Sequence, residues 1–298
     1  MNSLNILHIS DAHIQMADKE EISEIVAKMI NDALKVQKEQ NIKINLVCFT
    51  GDLIQRGDKA INDEKQLELA EEILVNPVLS GLGLEKDKFI MVPGNHEVDV
   101  KKITKATEKG LLVKSLEEIN DNVSNMDETY LSRLDYFYQW IDTYYDDVIR
   151  EKIGYAFLRE IDGKKIGIAC IDSAWRSSGK GGCEKGIMYV GQKQISDLYK
   201  HIKDADIKIC LMHHPTDWLS DFESTIIERE LTKFDIVLRG HVHENDHKEV
   251  CRHSMKTIYS TAGQLFPLEY YCGRAVDGYN GYSILNIDFN NSICNIFL

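Results

Sequence analysis

A layered α/β fold is predicted by two regularities of the sequence: short apolar runs of strand length, each ended by polar or glycine-containing residues, and helix-periodic segments between most of them. The runs occupy residues 4–9, 44–49, 88–92, 165–171, 207–212 and 234–238. After the first, Ile22, Ile25, Val26, Met29, Ile30, Ala33 and Leu34 recur at three- and four-residue steps, so an amphipathic helix is expected over residues 20–40. Another helix is expected over about 60–75. Residues 100–153 are charged and helical in pattern, and they hold an aromatic cluster of Tyr130, Tyr136, Phe137, Tyr138, Trp140, Tyr144 and Tyr145. Such a cluster suits the packing face of an inserted helical cap better than a base-stacking platform. From 257 to 297 the pattern turns strand-like, as in residues 283–289, and a second sheet is expected there. The sequence shows no internal repeat and no low-complexity linker.

Composition narrows the function classes. The 298 residues, 43% hydrophobic and 28% charged, suffice for a sizeable core. Lys and Arg total 35 against 48 Asp and Glu, a net charge of −13, which repels polyanions at long range and argues against a nonspecific duplex-binding surface. The seven cysteines include no C-x-x-C pair, and Cys48, Cys170 and Cys210 lie in apolar runs, as expected of reduced, buried thiols. Neither a signal peptide nor an apolar window of about 18 residues is evident, so the expected location is cytoplasmic. The end at Asn295-Ile-Phe-Leu298 falls on an apolar strand, as a natural domain can, and it also suits the N-terminal domain of a longer protein.

The chemistry sits where strands end. The stretch NILHISDAHIQ begins as a buried strand and finishes with Asp11 and His13; side chains two apart on an extended chain point to one side, so both can reach a common point. The next runs deliver Asp52 in FTGDLIQRG and Asn95 with His96 in VPGNHEVD, and later runs deliver His213 in LMHHP and then His241 and His243 in RGHVHE. Open α/β sheets bind ligands beyond the carboxyl ends of their strands, so these runs are expected to converge on one crevice. Carboxylates, imidazoles and an amide carbonyl make a mixed oxygen and nitrogen donor set suited to Mn, Fe, Zn, Co or Ni rather than to a thiolate-bound metal. The glycines before Asp52, Asn95 and His241 are expected to allow unusual backbone angles there.

The ordered set Asp11-x-His13, Gly51-Asp52, Gly94-Asn95-His96-Glu97, His213-His214-Pro215 and Gly240-His241-x-His243 resembles the calcineurin-like metallophosphoesterase superfamily, from the first strand to about residue 263. The resemblance implies one domain over residues 1–298, a four-layer αββα sandwich of two mixed sheets flanked by helices, with the helical insertion at about 100–153. It implies two divalent metal ions, manganese first, with Fe, Zn, Ni or Co as alternatives. Asp11, His13 and His243 are implied to hold one metal and Asn95, His213 and His241 the other, with Asp52 bridging. His213 rather than His214 is taken as the ligand because the family's ligand sits two residues before the proline; His214 is then a hydrogen-bonding neighbour. His96 is implied as the catalytic residue, contacting a phosphoryl oxygen or protonating the leaving group, with Asn95 and Arg56 also meeting substrate. The implied reaction is attack of a metal-bridging hydroxide on phosphorus.

Departures from the pattern refine the expectation. The protein phosphatase branch carries an aspartate before the arginine of the second motif and an arginine before Gly-Asn-His-Glu, where this chain has Gln55 and Pro93. The Gly-His-x-His and His-His-Pro motifs resemble the branch of cyclic-nucleotide and glycerophosphodiester phosphodiesterases, so hydrolysis of a phosphodiester or small phosphoester is expected. The alternatives are a DNA nuclease of the repair-exonuclease kind, a protein or small-molecule phosphomonoesterase, and a non-catalytic metal-binding scaffold. The lysines at 101, 102, 105, 109 and 114 would serve a nuclease groove but read better as a solvated face. His8 is expected to be a satisfied structural histidine, and His201, His247 and His253 surface or loop residues. Glu97 and Asp99 are expected either to orient His96 or to lie in a solvated loop. Residues 100–153 and the loop over residues 175–189, with residues 179–182 flexible within it, are expected to shape substrate choice.

Overall fold

In the computed structural model the described residues are 3–56, 63–113, 115–125, 128–243, 245–252, 255–266, 281–289 and 293–298. They form two stacked sheets between helical layers, with the helices of residues 19–40 and 76–82 outside the first sheet and those of residues 192–202 and 224–231 outside the second. The first sheet has the order β12-β11-β1-β2-β3, built from β1 (Ser3–Ile9), β2 (Leu46–Phe49), β3 (Phe89–Met91), β11 (Ser283–Asp288) and β12 (Ile293–Phe297). The second has the order β4-β5-β6-β7-β8-β10-β9. Its strands are β4 (Ile149–Arg150), β5 (Tyr155–Ile161), β6 (Lys164–Cys170), β7 (Ile207–Leu211), β8 (Ile236–Arg239), β9 (Asp246–Arg252) and β10 (Met255–Thr261).

Alternation along the strands explains the layering. Ile166, Ile168 and Cys170 of β6, Ile209 and Leu211 of β7, and Ile236 and Leu238 of β8 face the core between the sheets. Their neighbours Ala169, Cys210 and Val237 face the opposite way, as a two-residue side-chain period requires. There they meet α8 (Gln192–Ile202) through Ile195, Leu198 and Ile202, and α9 (Ser224–Leu231) through Ile227 and Leu231. On the far side, α1 (Lys19–Gln40) and α3 (Asn76–Leu82) bury Ile22, Val26, Met29, Val78 and Leu79. None of the described helices is long and apolar enough to cross a membrane.

The residues expected to be helical over 60–75 begin as α2 (Asp63–Ala70) and pass into a π-helical turn at Glu71–Val75; positions 60–62 lie outside the described residues. Residues 100–153 hold α4 (Lys105–Gly110), α5 (Leu116–Asn125), α6 (Glu128–Leu131), α7 (Asp135–Tyr144) and the short β4. Their aromatics pack as a core face: Phe137, Tyr138, Tyr144 and Tyr145 are buried, and Tyr145 packs at a tilt of 56° against Phe157 of β5, with 4.7 Å between ring centroids. The expectation of a separate second sheet at the C-terminus needs correction. β10 completes the second sheet by pairing parallel to β8, whereas β11 and β12 cross back to extend the first through antiparallel pairing with β1. Apolar alternation marks a strand but not its partner, which is a long-range choice.

Within each sheet the central strands are parallel: β1, β2 and β3 in one, β6, β7, β8 and β10 in the other. Their carboxyl ends open toward the same crevice. One brace away from it ties α9 to α8: the Glu223 carboxylate accepts from Val190 N at 2.6 Å and Gly191 N at 2.9 Å. Burial pushes this carboxyl up to about 7, against the two N–H donors. Its folded value therefore exceeds the unfolded one, and its contribution to stability is full below the unfolded value and lost as pH rises through about 7. Replacing Glu223 with Gln removes this titration. Chemical denaturation from pH 5 to 8 should show the variant gaining on the wild type as pH rises, by up to about 3 kcal/mol.

Candidate metal centre

The strand ends bring the predicted residues together. Asp11 and His13 follow β1, Asp52 follows β2, Asn95 and His96 follow β3, His213 follows β7, and His241 and His243 follow β8. The ligand atoms of Asp11, His13 and His243 lie within 4.8 Å of one another, as do those of Asp11, Asp52 and His213. His213 and His241 share a further such group with His214, and Asn95 Oδ1 lies 3.2 Å from His213 Nε2. Asp52 Oδ2 is 3.3 Å from His213 Nε2, and the Asp52 carboxylate also groups with His13 and His96, so it lies near members of both expected sets.

Local backbone geometry aims these side chains. Among the described residues seven non-glycine positions have positive φ, and five of them are predicted ligands: Asp11 at 54°, His13 at 45°, Asp52 at 57°, His241 at 75° and His243 at 56°. Left-handed backbone is costly outside glycine and is retained where the surroundings over-determine it, typically at functional sites. Of the three glycines expected to take unusual angles, Gly51 alone does, at φ 94°. Gly94 and Gly240 are required for close approach instead. A Cβ at Gly94 would overlap the Asp52 carboxylate, and one at Gly240 would overlap Ser10 Oγ.

Hydrogen bonds set the imidazole protons. His213 Nδ1 donates to Thr50 O at 2.6 Å, which turns Nε2 toward Asp52, Asn95 and His241. His214 is held by Ser173, whose hydroxyl accepts from His214 N and lies 2.9 Å from His214 Nδ1, while its buried Nε2 has no hydrogen-bond partner among the described residues and belongs to the same group as His213 and His241. His96 Nδ1 accepts from Arg56 N at 3.3 Å, so its proton sits on Nε2. Arg56 itself donates from Nη1 to Asn95 O at 2.7 Å. His8 is satisfied by Ser260 and Thr50, and burial holds its pKa down at about 3. His201 pairs with Glu151 and His247 lies on the edge strand β9, while His253 falls outside the described residues.

The donor set fits divalent cations. Asp11 Oδ1, both His13 ring nitrogens, His214 Nε2 and His241 Nε2 are buried without a hydrogen-bond partner among the described residues, although His243 Nε2 and His13 Nε2 approach Asp11 Oδ1 at 3.3 and 3.8 Å; a bound cation relieves this costly state. The metal-free electrostatics show the same demand. Burial opposes charge on His213, yet Asp52 and Asp11 pull its pKa up to about 9. Burial likewise opposes charge on Asp52, but His213 and His96 hold its carboxyl well below the usual range.

Sequence reasoning left the role of Glu97 open, and the structure gives it neither of the expected ones. Its buried carboxylate accepts from Asp52 N at 2.9 Å, Leu53 N at 2.8 Å, Ile54 N at 3.0 Å and Gly94 N at 2.6 Å, joining the second and third motif loops. Burial and Asp52 push this carboxyl up to about 7, opposed by those N–H groups. Asp99 instead accepts from Lys101 N at 2.9 Å. Two more strand ends contribute without having been recognised: β6 supplies Ser173 to His214, and the turn after β10 places Leu265 N on Ser10 O and Asp11 O at 3.0 and 3.1 Å. Glu97→Gln keeps the volume but offers one acceptor where four N–H groups converge. Calorimetric titration of the variant with Mn²⁺ should give an affinity about 10- to 100-fold weaker than wild type, the range for ligand-supporting contacts.

Comparison with known proteins follows this geometry. The chain is 22% identical over 260 residues to the uncharacterized metallophosphoesterase-like protein YydB of Bacillus subtilis (strain 168), covering 81% of this chain and 49% of that one. It therefore spans about half the length of that curated relative. Among solved structures, the purple acid phosphatase PPD1 of yellow lupin (Lupinus luteus) superposes with a TM-score of 0.52 at 13% identity over 95% of this chain and 49% of that one. GAP50, the anchor in the inner membrane complex of Plasmodium, superposes with a TM-score of 0.50 at 11% identity, covering 99% and 84%. At such identities these structures attest the fold. The family model described as calcineurin-like phosphoesterase matches residues 4–245, most of the chain and every candidate ligand, and this protein belongs to that family.

Proposed function

We propose that this protein is a metal-dependent hydrolase of phosphodiesters or small phosphoesters. The observation that carries the reading is the convergence of Asp11, His13, Asp52, Asn95, His213, His241 and His243 on one crevice, with several buried donor atoms left unpartnered. Asp11, His13 and His243 would hold one divalent cation and Asn95, His213 and His241 a second, with Asp52 shared. Manganese is the first candidate for both. When bound, the cations supply Lewis acidity for a phosphoryl group and for water.

The remaining chemistry belongs to the chain's own side chains. With Nδ1 engaged by Arg56 N, His96 presents Nε2–H on the side where Asp52 lies, ready to donate to a phosphoryl or leaving-group oxygen. Its ring stands edge-on to His13 at 4.5 Å, so the donor is held close to one ligand set. Arg56, fixed to the Asn95 carbonyl, places a cation beside the same group. Residues 100–153 form the cap of a single domain in this reading. The exposed Lys101, Lys102, Lys105 and Lys109 support a solvated face over a nucleic-acid groove; Lys114 lies outside the described residues.

The Mn²⁺-reconstituted protein should hydrolyse bis(p-nitrophenyl) phosphate, and Asn95→Ala and His243→Ala should each lower kcat/KM at least about 100-fold. Turnover of p-nitrophenyl phosphate alone would point to a phosphomonoesterase, and cleavage of DNA to a nuclease. Tight metal binding with no turnover of any of these would point to a scaffold.

A further inference from the structure

The loop after β6 reaches the candidate site through one glycine. Gly179, at φ 76°, approaches Arg56 so closely that a Cβ there would lie 3.2 Å from Nη1 and 3.3 Å from Cζ, and 2.5 Å from Val100 Cγ1. The apex is held from within the loop by Glu184, which is only 2% exposed. Its Oε2 accepts from Ser177 Oγ at 2.8 Å, its Oε1 accepts from Ser178 Oγ at 2.8 Å and from Ser178 N, and Ser177 Oγ in turn accepts from Gly179 N at 3.3 Å. From outside, Arg133 Nη1 donates to Ser177 O at 2.6 Å. Where flexibility is expected from the sequence, the loop is thus tied by hydrogen bonds at Ser177, Ser178 and Gly179, with its tip on a guanidinium.

We propose that Glu184 is a positioning residue for substrate binding: it fixes the loop so that Gly179 confines Arg56 against the Asn95 carbonyl, in the orientation that meets a substrate phosphoryl oxygen beside His96. This rests on the phosphoesterase reading. A free arginine side chain loses rotamer freedom when it binds a phosphate; one already tied at Nη1 and covered on one face has lost much of it beforehand. A glycine is needed at the tip because any side chain would displace either the guanidinium or Val100.

The test compares wild type, Glu184→Gln, Arg56→Ala and the double variant as Mn²⁺-loaded full chains. Four quantities are read: calorimetric affinity for inorganic phosphate, KM and kcat for bis(p-nitrophenyl) phosphate, and the thermal midpoint. Glu184→Gln should weaken phosphate binding and raise KM about fivefold, and the double variant should be no worse than Arg56→Ala, because the two residues act through one contact. In Glu184→Gln kcat should stay within about twofold of wild type, since His96 and the ligands are untouched. Additive losses in the double variant, or unchanged phosphate affinity in a folded Glu184→Gln, overturn the proposal. If Glu184→Gln does not fold, Gly179→Ala made with and without Arg56→Ala decides by the same criterion. A wild type that binds phosphate but hydrolyses neither nitrophenyl ester defeats the phosphoesterase reading, while the phosphate affinities still decide the role of Glu184. A wild type that binds no phosphate overturns both.

Discussion

Two carboxylates, those of Asp11 and Asp52, are taken out of water where the two sheets meet, and the surrounding structure is organised around that burial. An ion isolated from solvent is expensive unless opposite charge or N–H donors meet it. Here His243 and His213 approach Asp11 and Asp52 at 3.3 Å each, His241 N donates to Asp11 Oδ2 at 3.0 Å, and His96 N donates to Asp52 Oδ1 at 2.8 Å. The imidazoles compensate the carboxylates through the same atoms that suit them to divalent cations. The His13 nitrogens and His241 Nε2 still have no hydrogen-bond partner among the described residues, and the cluster is able to take a cation.

Holding those groups at such close quarters constrains the backbone. Five candidate ligands adopt left-handed φ, and each such position needs neighbours that allow no alternative. Glu97 supplies part of that determination by gathering four backbone N–H groups from the Asp52 and Gly94 turns. The turn after β10 supplies another part by closing on the carbonyls of Ser10 and Asp11. The glycines at 94 and 240 allow the loops to touch where a Cβ would collide.

The helical layer joins the crevice by a separate route. Tyr138 of α7 donates to Asp172 Oδ2 at 2.6 Å, Asp172 Oδ1 accepts from Ala174 N at 2.8 Å, and between them Ser173 holds His214. Arg133, at the start of the same helical stretch, bonds the Ser177 carbonyl. The aromatic cluster that packs these helices on β5 therefore also anchors the loop that rims the site. Packing and positioning are served here by the same side chains.

The amino-acid sequence by itself determined the α/β class, the long first helix and the strand ends whose acidic, amide and imidazole side chains converge, because each of these is written in a local period or a short motif at a strand end, while their roles as ligands are what the family resemblance implies. Where β10, β11 and β12 pair was decided only by the tertiary structure, since alternation fixes the faces of a strand and leaves its neighbours open. The same holds for the role of Glu97, which depends on N–H groups 43 to 45 residues earlier in the chain. The direction of His213 is set by the carbonyl of Thr50, 163 residues away, and the hold of Glu184 on Arg56 runs through a loop whose glycine makes no recognisable motif. Local patterns record what a segment must be; the partners of its hydrogen bonds and the close approaches of its loops exist only once distant segments have packed.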